Sequence, residues 1–488
     1  MTDPSGQTRV TPQTLKGFQD YLPEAMAARD WVVAKIKAVF ERYGFAQIDT
    51  PAIEYLAALI GTGGEETNKE LFRLQSPEDE PVALRFDLTV PYARLLAQYR
   101  DHLHLPFRRY HIGPVFRADK PGPGRFRQFT QCDVDVAGAS SVAVDAEVIA
   151  VMCDVMRAVG LLNEAGGANE FQVRVNDRRL VDALLYGSGV RDMETHKHIL
   201  RVVDKLQKVG LDDVRKELGD GRIDDSGDPI RGVGLDTPTI EAILAFVAVT
   251  GDTRQAVVDA VADALPDSDE SRAAVDGMRE LAACLEGLGV SEPDVIFDPS
   301  LARGLDYYTG PVYEAVLPGA PECGSVMGGG RYDGLVSRFM DAAVPATGAS
   351  VGLERFVEAL GRCGKLPARR TTTKVMVVST PDVPEVELLR VAAELRQAAI
   401  PTDVYIGDKK TGLGKQLSLA NARHLPVAVI VGGSELAAGT ISVKDLEAGM
   451  QKRKDIQDRE QFRKAGTVSQ VTVQRALLVD AVQDMLRR

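Results

Sequence analysis

Residues 107–135, FRRYHIGPVFRADKPGPGRFRQFTQCDVD, restrict the fold more than any other stretch of this chain. Two runs of strand-like composition flank a Pro-Gly-Pro-Gly segment at residues 121–124. Proline and glycine favour turns, and two strands joined by a short connection pair in antiparallel fashion. The stretch therefore predicts a long antiparallel hairpin with a Pro/Gly tip.

Positive charge is concentrated on this hairpin, where Asp119 is the only acid before Asp133. Clustered arginines lose side-chain entropy and repel one another, so we expect an anion to lie against them. Gln131 and Asp135 are four residues apart on the return strand and point to the same face. An arginine for a phosphate, with an amide and a carboxylate for a polar or cationic group, predicts a site for two substrates. The five arginines of the hairpin are Arg108, Arg109, Arg117, Arg125 and Arg127.

Length and composition narrow the class of protein. A chain of 488 residues predicts two or three domains. It contains no apolar run of ~18 residues, and its N-terminus lacks the apolar core of a secretory signal. Five scattered cysteines without a CxxC motif predict reduced thiols in a cytoplasmic protein, without a disulfide framework or a zinc site.

The net charge of -12 argues against a non-specific nucleic-acid binder. Local basic patches nevertheless remain compatible with a nucleic-acid substrate. Between Arg100 and Gln131 the chain has seven Lys or Arg residues against two Asp, so charge is segregated along the sequence.

The region before the hairpin begins with a helix predicted over about residues 24–43. In the following IDTPAIE segment, Pro51 either ends an edge strand or lies in a strand at a subunit interface. The glycine-rich segment from Gly61 lacks the GK[ST] ending of a P-loop, and we expect a mobile lid. Strand-like alternation in VALRFDLTV puts Arg85, Asp87 and Thr89 on one polar face, for a ligand or for solvent.

Beyond the hairpin, residues 178–292 read as a helical insertion without evident chemistry, and metal binding by its isolated His196 and His198 is not expected. The segment RGLDYYTG (residues 303–310) is a compact polar cluster. The triple glycine at residues 328–330 forms either a tight turn or a turn that lines a ligand, and the adjacent RYD favours the second. Arg355 follows a glycine-rich strand near a helix start, where an anion also meets the helix N-terminus.

Alternating strand and helix patterns over residues 373–466 predict a small α/β domain. Residues 467–488 form a C-terminal strand and helix extension. The charged segment 452–464 is expected to be solvated, and whether it contacts RNA stays open.

Three separated arginines, Arg117, Arg303 and Arg355, suit phosphate because guanidinium groups stay charged and bind bidentately. No arrangement of nucleophile and base is evident. Catalysis is therefore expected to rest on positioning and on electrostatic stabilisation, which fits carboxylate attack on an α-phosphate better than hydrolysis.

The chain resembles the histidyl-tRNA synthetases, a family of class II aminoacyl-tRNA synthetases, over nearly its whole length. IDTPAIE resembles motif 1, PVFRADKPGPGRFRQFTQCDVD motif 2 and GASVGLERF motif 3, while RGLDYYTG and GGGRYDG resemble the signatures of the histidine enzymes. The FDLT and QCDVD runs are similar to the eukaryotic and archaeal-like branch. The resemblance implies an α+β catalytic core, residues 1–177 and 293–366, with an antiparallel sheet flanked by helices. It also implies a C-terminal anticodon-binding domain and a homodimer.

The resemblance implies a histidine–tRNA ligase that uses ATP with bound Mg²⁺, L-histidine and tRNA(His), and that has no protein metal site. It implies ATP contacts from Arg117 at the α-phosphate, Arg355 at the γ-phosphate, and Arg303 beside the α-phosphate, where other class II enzymes place a metal ion. The same resemblance implies that Arg117 and Arg303 are the catalytic residues. Histidine would be bound by Asp87, Thr89 and Gln131 at the α-amino group, by Asp135 and Tyr308 at the imidazole, and by Tyr307 and Tyr332 along the pocket. Many bacterial members have glutamate where this chain has Asp87 and Asp135, which moves each carboxylate by about one methylene.

Two other functions compete with this interpretation. One is a regulatory paralogue, a non-catalytic subunit of ATP phosphoribosyltransferase; such paralogues usually lack the terminal domain and the RGLDYY arginine, and both are present here. The other is a nucleic-acid-binding module without catalysis. It would explain the arginine hairpin, but it leaves Arg303 and Arg355 unexplained.

Overall fold

The computed structural model describes residues 10–61, 68–122, 124–163, 169–224, 227–302, 307–367, 371–408, 411–451 and 469–487. The chain divides into two compact units. Unit 1 comprises Met1–Asp20 with Arg29–Leu366, and unit 2 comprises Tyr21–Ala28 with Pro367–Arg488. No helix in the described ranges combines the length and the apolar character that crossing a bilayer requires.

Unit 1 is built on an eight-stranded sheet with the order β1-β5-β6-β13-β12-β11-β7-β10. Its neighbouring strands are antiparallel except for the parallel pairs β1–β5 and β7–β10. The predicted antiparallel sheet flanked by helices is confirmed. The strands of unit 1 are β1 Ala46–Gln47, β2 Ile53–Tyr55, β3 Arg73–Gln75, β4 Pro81–Leu84, β5 Phe107–Phe116, β6 Gln128–Ala137, β7 Gln172–Asp177, β8 Gly221–Ile223, β9 Pro229–Arg231, β10 Val295–Phe297, β11 Pro311–Val316, β12 Ser325–Arg331 and β13 Ala346–Gly352.

The predicted hairpin is confirmed as β5 and β6, which pair over ten positions from Phe107↔Ala137 to Phe116↔Gln128. At its tip Gly122 and Arg125 form an isolated bridge, while Pro123 lies outside the described residues. This pairing puts the hairpin in the sheet, beside β13.

The alternation of β6 gives its two faces different surroundings. Cys132, Val134 and Val136 are buried in a hydrophobic core, where a fully buried valine contributes ~1.5–3 kcal/mol. Gln131 and Asp135 point to the opposite face, since side chains alternate along a strand. Helix α1 is Pro23–Arg42, of which residues 29–42 belong to unit 1. The other helices of unit 1 outside residues 178–287 are α2 Leu56–Leu59, α3 Thr89–Gln98, α4 Ala143–Ala158 and α12 Leu353–Arg362.

The strand predicted through Thr89 is wrong in its second half. Strand β4 ends at Leu84, and helix α3 begins at Thr89. The Oδ1 atom of Asp87 accepts from the backbone N–H groups of Thr89 (3.1 Å) and Val90 (2.9 Å), and so caps the helix. The buried Arg85 points elsewhere and donates to the carbonyls of Thr50 and Pro114.

The triple glycine is a strand and not the predicted turn. Residues 328–330 lie within β12, between β11 and β13. A Cβ atom on Gly329 would lie 2.1 Å from the carbonyl oxygen of Gly348. A Cβ atom on Gly348 would lie 2.0 Å from Oδ1 of Asp135. The glycines therefore let neighbouring strands and a carboxylate approach closely.

We expect Gly348→Ala to lower the free energy of unfolding by ~1–3 kcal/mol, because neither the backbone of Val134 (2.6 Å from the new Cβ) nor Asp135 has room to yield. Gly352→Ala on the same strand is a matched control, since its Cβ would meet nothing within 4 Å. Urea unfolding of both variants measures the difference. Equal losses would show that the contact at Gly348 is unimportant.

Residues 178–287 are mainly helical and also contain the two-stranded antiparallel sheet β8–β9. The buried His196 makes a 2.9 Å hydrogen bond with the carbonyl of Val190. The helices of this segment are α5 Arg178–Gly187, α6 Met193–Val203, α7 Leu206–Val209, α8 Leu211–Leu218, α9 Thr237–Val247, α10 Arg254–Ala264 and α11 Asp269–Gly287.

Unit 2 is built on a five-stranded mixed sheet with the order β15-β14-β16-β17-β18. Apolar clusters pack on both faces, as in an α/β layer structure. The last strand pairs antiparallel with β17, so the C-terminal residues complete this sheet. The charged segment 452–464 lies outside the described residues. The elements are β14 Val375–Ser379, α13 Glu385–Gln397, β15 Thr402–Val404, α14 Leu413–Ala422, β16 Val427–Val431, α15 Gly433–Ala438, β17 Thr440–Asp445, α16 Leu446–Gln451, β18 Gln470–Gln474 and α17 Leu478–Arg487.

Candidate active site

A cavity of about 450 Å³ opens on the polar face of the unit 1 sheet. Strands β6, β12 and β13, the start of α3 and the start of α12 all contribute to its wall. Nine of the ten predicted site residues line it, and the tenth, Arg303, lies outside the described residues. The nine are Asp87, Thr89, Arg117, Gln131, Asp135, Tyr307, Tyr308, Tyr332 and Arg355.

Arg117 lies between two aromatic rings at one end of the cavity. Its guanidinium carbon is 4.2 Å from the ring centre of Phe86 and 5.1 Å from that of Phe129. Its Nε atom donates to the carbonyl of Phe86 (3.2 Å). Burial lowers the pKa of this guanidinium and Asp87 opposes the shift, although an arginine remains charged at neutral pH. The rings orient a cation whose remaining donors suit an anionic ligand.

Arg355 provides a second cation from another part of the chain. It is the third residue of α12, and its Nη1 atom donates to the carbonyl of Ser325 (2.8 Å) on β12. The bond holds the side chain along the cavity wall. Because helix N-termini carry partial positive charge, an anion here would meet both the arginine and the helix.

Polar groups of a different kind line the part of the cavity near α3. Nε2 of Gln131 donates to Oγ of Ser350 (2.7 Å), whereas its Oε1 atom is buried with no hydrogen-bond partner among the described residues. Asp87 lies nearby, and burial raises the pKa of its carboxyl group. An amide oxygen and a carboxylate accept hydrogen bonds, so this region suits an ammonium donor.

Asp135 is buried and is held from two sides. Tyr332 donates its hydroxyl proton to Oδ1 of Asp135, and Arg109 forms an ion pair with Oδ2 at 2.7 Å. Burial raises the pKa of Asp135, and the charge of Arg109 opposes that shift. Burial also raises the pKa of Tyr332 well above its usual value, which keeps the phenol a donor.

The three tyrosines form one group beside this carboxylate. The rings of Tyr307 and Tyr308 are 4.5 Å apart, and the Tyr307 hydroxyl donates to that of Tyr308 (3.4 Å). Tyr332 meets Tyr307 edge-on at 6.3 Å. Aromatic walls with hydroxyl groups and a carboxylate suit a planar polar ring.

Asp133 also lines the cavity, and sequence reasoning missed it. It lies between Gln131 and Asp135 on the same face of β6, so the period-two spacing of QCDVD was the available signal. Burial raises the pKa of its carboxyl group to about 7. Its Oδ1 atom has no hydrogen-bond partner among the described residues.

This shift predicts a pH-dependent stability. The folded protein keeps the Asp133 proton between pH ~4 and about 7, where the unfolded chain has lost it. The free energy of unfolding should therefore fall as pH rises through this window, and Asp133→Asn should flatten that fall. Urea unfolding between pH 5 and 8 measures it. The control variant Asp101→Asn, at the exposed surface, should show the same pH dependence of unfolding free energy as wild type. If Asp133→Asn also showed the wild-type pH dependence, the prediction would be contradicted.

The expectation that one anion accounts for the arginines of the hairpin is wrong. Arg108 pairs with Glu147 (2.6 Å), and Arg109 pairs with Asp135. Nε of Arg127 donates to the carbonyl of Asp119 (3.1 Å). Only Arg117 and Arg125 of the five line the cavity, because Arg108 and Arg109 pair with acids and Arg127 donates to a carbonyl.

Arg331 does not line the cavity as the RYD run suggested. It is buried against Asp145 of α4 and also donates to the carbonyls of Ala139 and Ser141. Glu354, by contrast, lines the cavity and was missed. It accepts from Nη1 of Arg29 (2.6 Å) and from the backbone N–H of Thr130 (2.9 Å), both distant in sequence.

Within the described ranges, no three His, Cys, Asp or Glu side chains cluster in a way that could hold a metal ion. Two carboxylates of the cavity are already engaged: Asp135 pairs with Arg109, and Glu354 accepts from Arg29 and from the backbone N–H of Thr130. The donor set therefore does not fit a metal site made by protein side chains alone.

Family models cover both units of the chain. One described as "Histidyl-tRNA synthetase" matches residues 17–356, and one described as "Anticodon binding domain" matches residues 374–484. The histidine–tRNA ligase of Caulobacter vibrioides is 38% identical over 99% of this chain and 98% of its own. That of Rhizobium meliloti is 40% identical over 96% of this chain and 95% of its own.

Solved structures share the fold. The crystal structure of histidyl-tRNA synthetase from Nostoc sp. PCC 7120 has a TM-score of 0.79 and 30% identity, covering 98% of this chain and all of its own. A structure titled as an ATP phosphoribosyltransferase regulatory subunit/histidyl-tRNA synthetase from Bacillus halodurans has a TM-score of 0.67 at 22% identity, covering 87% of this chain and all of its own. The second shows likeness of fold alone.

Proposed function

Because this chain belongs to the histidyl-tRNA synthetase family and is a histidine–tRNA ligase, we propose that its cavity binds ATP at the arginine end and histidine at the carboxylate end. The enzyme activates L-histidine with ATP to histidyl-adenylate, releasing pyrophosphate, and then transfers histidine to the 3′ end of tRNA(His). The presence of Arg117, Arg355, Asp87 and Asp135 around one cavity is the observation that carries this assignment.

At the ATP end, Arg117 binds the α-phosphate and the adenylate, and Arg355 binds the γ-phosphate. The cation–π contacts of Arg117 and the bond from Arg355 to Ser325 support these roles, because both guanidinium groups are oriented before ATP binds. Arg303 contributes beside the α-phosphate. Its position lies outside the described residues, and its role rests on the RGLDYY motif.

At the histidine end, Asp87, Thr89 and Gln131 bind the α-amino group. The Oε1 atom of Gln131 has no hydrogen-bond partner within the described ranges, which supports this role because a buried acceptor is costly unless a ligand supplies a donor. Asp135 and Tyr308 bind the imidazole nitrogens, and Tyr307 and Tyr332 line the ring. These are acceptor and phenol groups matched to a ring with two distinct nitrogens.

The residues act by position and charge. The histidine carboxylate attacks the α-phosphorus, the bond to the bridging oxygen breaks, and pyrophosphate leaves with the electron pair. Arg117 stabilises the negative charge that develops on the non-bridging oxygens. In the second step a terminal ribose hydroxyl of the tRNA attacks the histidyl carbonyl, and AMP leaves.

The family in general uses ATP with Mg²⁺, and we propose the same here. Because the described carboxylates do not form a three-ligand site, the phosphates of ATP would supply most ligands of the ion. A Mg²⁺ ion so bound would neutralise phosphate charge.

Histidine-dependent exchange of pyrophosphate into ATP tests this assignment directly. Exchange with histidine, and not with other amino acids, is the expected result. A folded protein that shows no exchange would contradict the proposal. It would favour a regulatory paralogue if histidine still binds, or a nucleic-acid-binding module if only RNA binds.

We expect Arg303→Ala to lower adenylate formation far more than histidine binding, because its contribution falls on the transition state. Pre-steady-state kinetics measure the rate of adenylate formation, and calorimetry measures the affinity for histidine. Equal losses in both would show that the residue serves substrate binding instead.

We further propose that residues 1–177 and 293–366 form the catalytic core, that residues 178–292 form an inserted helical domain, that residues 467–488 form a C-terminal extension, and that residues 373–466 form the anticodon-binding domain. The family-model match over residues 374–484 supports the last assignment. The strand at IDTPAIE would form a homodimer interface. Its exposed Ile53 (49%) and Tyr55 (59%) support that role.

The similarity of the FDLT and QCDVD runs to the eukaryotic and archaeal-like branch stays a prediction, and the two relatives described above are bacterial. Cytoplasmic location likewise stays a proposal. Its support is the scattered cysteines, none of which forms a disulfide among the described residues.

A further inference from the structure

Arg109 is completely buried behind the cavity and has no role in the scheme above. It lies on β5 directly opposite Asp135 in the strand register, and its side chain has no exposed area. A buried arginine is costly unless its charge is compensated. The groups around Arg109 therefore show how its buried charge is compensated.

Contacts of Arg109 converge on the histidine end of the cavity. Its Nη2 atom is 2.7 Å from Oδ2 of Asp135 and 3.9 Å from Oδ2 of Asp133, and it also donates to the carbonyl of Leu88 (3.3 Å). The guanidinium carbon is 4.5 Å from the ring centre of Tyr92. Among the described residues, neither Nε nor Nη1 has a hydrogen-bond partner.

Arg85 is a buried arginine with a purely structural role, and its contacts differ from those of Arg109. It is also buried, and it donates from Nε to the carbonyl of Pro114 (2.8 Å) and from Nη1 to that of Thr50 (2.6 Å). Among the described residues, two nitrogens of Arg109 have no hydrogen-bond partner, and its shortest ion-pair contact is with a carboxylate that lines the cavity. Its placement thus serves the charge of Asp135 more than the backbone.

The surroundings of Asp135 explain why a compensating cation matters. Asp87 before α3 adds negative charge, burial raises the pKa of Asp133 on β6 to about 7, and Tyr92 and Tyr332 contribute neutral phenols. Burial and the charge of Asp87 raise the pKa of Asp135, whereas the charge of Arg109 is the largest opposing influence and the hydrogen bond from Tyr332 adds to it. A protonated Asp135 would lose acceptor capacity.

We propose that Arg109 is a positioning residue for histidine selection, which holds Asp135 in place as a charged acceptor for the imidazole N–H. This inference rests on the proposed function, in which Asp135 reads the ring. Tyr332 then donates to Oδ1 of Asp135 and Arg109 forms an ion pair with Oδ2, and the carboxylate of Asp135 lines the cavity where the ligand would bind.

The test compares Arg109→Met, Arg109→Lys and, as a matched control, Arg108→Met. Arg108 is the preceding residue of β5 and pairs with Glu147 at 2.6 Å, away from the cavity. We expect Arg109→Met to raise the KM for histidine by ~10–100-fold in pyrophosphate exchange, as for loss of a hydrogen bond to a charged group. The KM for ATP and kcat should change by less than ~3-fold, and Arg109→Lys should restore part of the loss.

The pH dependence of the histidine KM distinguishes a role of Arg109 in keeping Asp135 charged from a role in supporting the fold alone. Without the cation Asp135 should ionise at higher pH, so the histidine KM of Arg109→Met relative to wild type should improve between pH 6.5 and 9. A constant ratio across this range, or parallel losses for histidine and ATP, would overturn the inference.

A double-mutant cycle with Asp135→Asn keeps the test valid if Arg109→Met folds poorly, because removing both charges leaves no unpaired ion. If Arg109 acts through Asp135, adding Arg109→Met to Asp135→Asn should cost less than ~3-fold in kcat/KM for histidine. Full additivity would overturn the inference. A wild-type protein without histidine-dependent exchange would instead overturn the proposed function itself.

Discussion

Arg117→Ala should lower kcat for histidine-dependent pyrophosphate exchange by ~10³-fold while histidine binding changes little. The guanidinium lies between Phe86 and Phe129 and is anchored to the Phe86 carbonyl, so its remaining donors are fixed before the substrates arrive. Preorganised charge contributes most where negative charge develops, here on the α-phosphoryl oxygens.

Exchange kinetics together with calorimetry of histidine binding measure both effects. Arg117→Lys should recover only a small part of the activity, because an ammonium group lacks the planar fork. Arg94→Ala is a suitable control, since Arg94 pairs with Glu54 and does not line the cavity. If Arg117→Ala raised the KM values and left kcat intact, the arginine would serve ground-state binding and its assigned role would be wrong.

Asp135→Asn should lower kcat/KM for histidine by at least ~10³-fold and the free energy of unfolding by ~3 kcal/mol. The substitution removes an acceptor for the ring and leaves the charge of Arg109 buried without its 2.7 Å partner. One substitution thus affects both specificity, through the lost acceptor, and stability, through the unpaired cation.

Asp145→Asn separates the two effects. Asp145 is also fully buried and pairs with an arginine, Arg331, but it lies outside the cavity lining. We expect a similar loss of stability and less than a tenfold change in kcat/KM for histidine. Should both variants lose histidine activity equally, the effect of Asp135→Asn would come from general weakening of the fold. Urea unfolding and steady-state exchange give the two quantities.

The hairpin shows which features of the site local sequence patterns can predict. Alternation in QCDVD predicted that Gln131 and Asp135 share a face, and both line the cavity. The same period places Asp133 there, yet a third carboxylate without an evident partner gave no signal of its role. Its environment depends on Arg109, which the register of β5 and β6 brings beside it.

Local patterns failed in two places, at Asp87 and at the triple glycine. Asp87 caps α3 and thereby ends the strand pattern at Leu84. The triple glycine read as a turn because glycine weakens strands, but β11 and β13 hold it in the middle of a sheet. At the triple glycine, pairing with β11 and β13 therefore overrode the local preference of glycine for turns.

The sequence by itself determined the antiparallel hairpin, the helical and α/β segments, and the residue types of both ends of the site, because strand period, turn residues and the family motifs are local. The tertiary structure decided which charges are free to meet a ligand. Arg108, Arg109 and Arg331 are neutralised by Glu147, Asp135 and Asp145, whereas Arg117 keeps donors toward the cavity. Ion pairs join residues that are distant in the chain, so their partners follow only from strand register and packing.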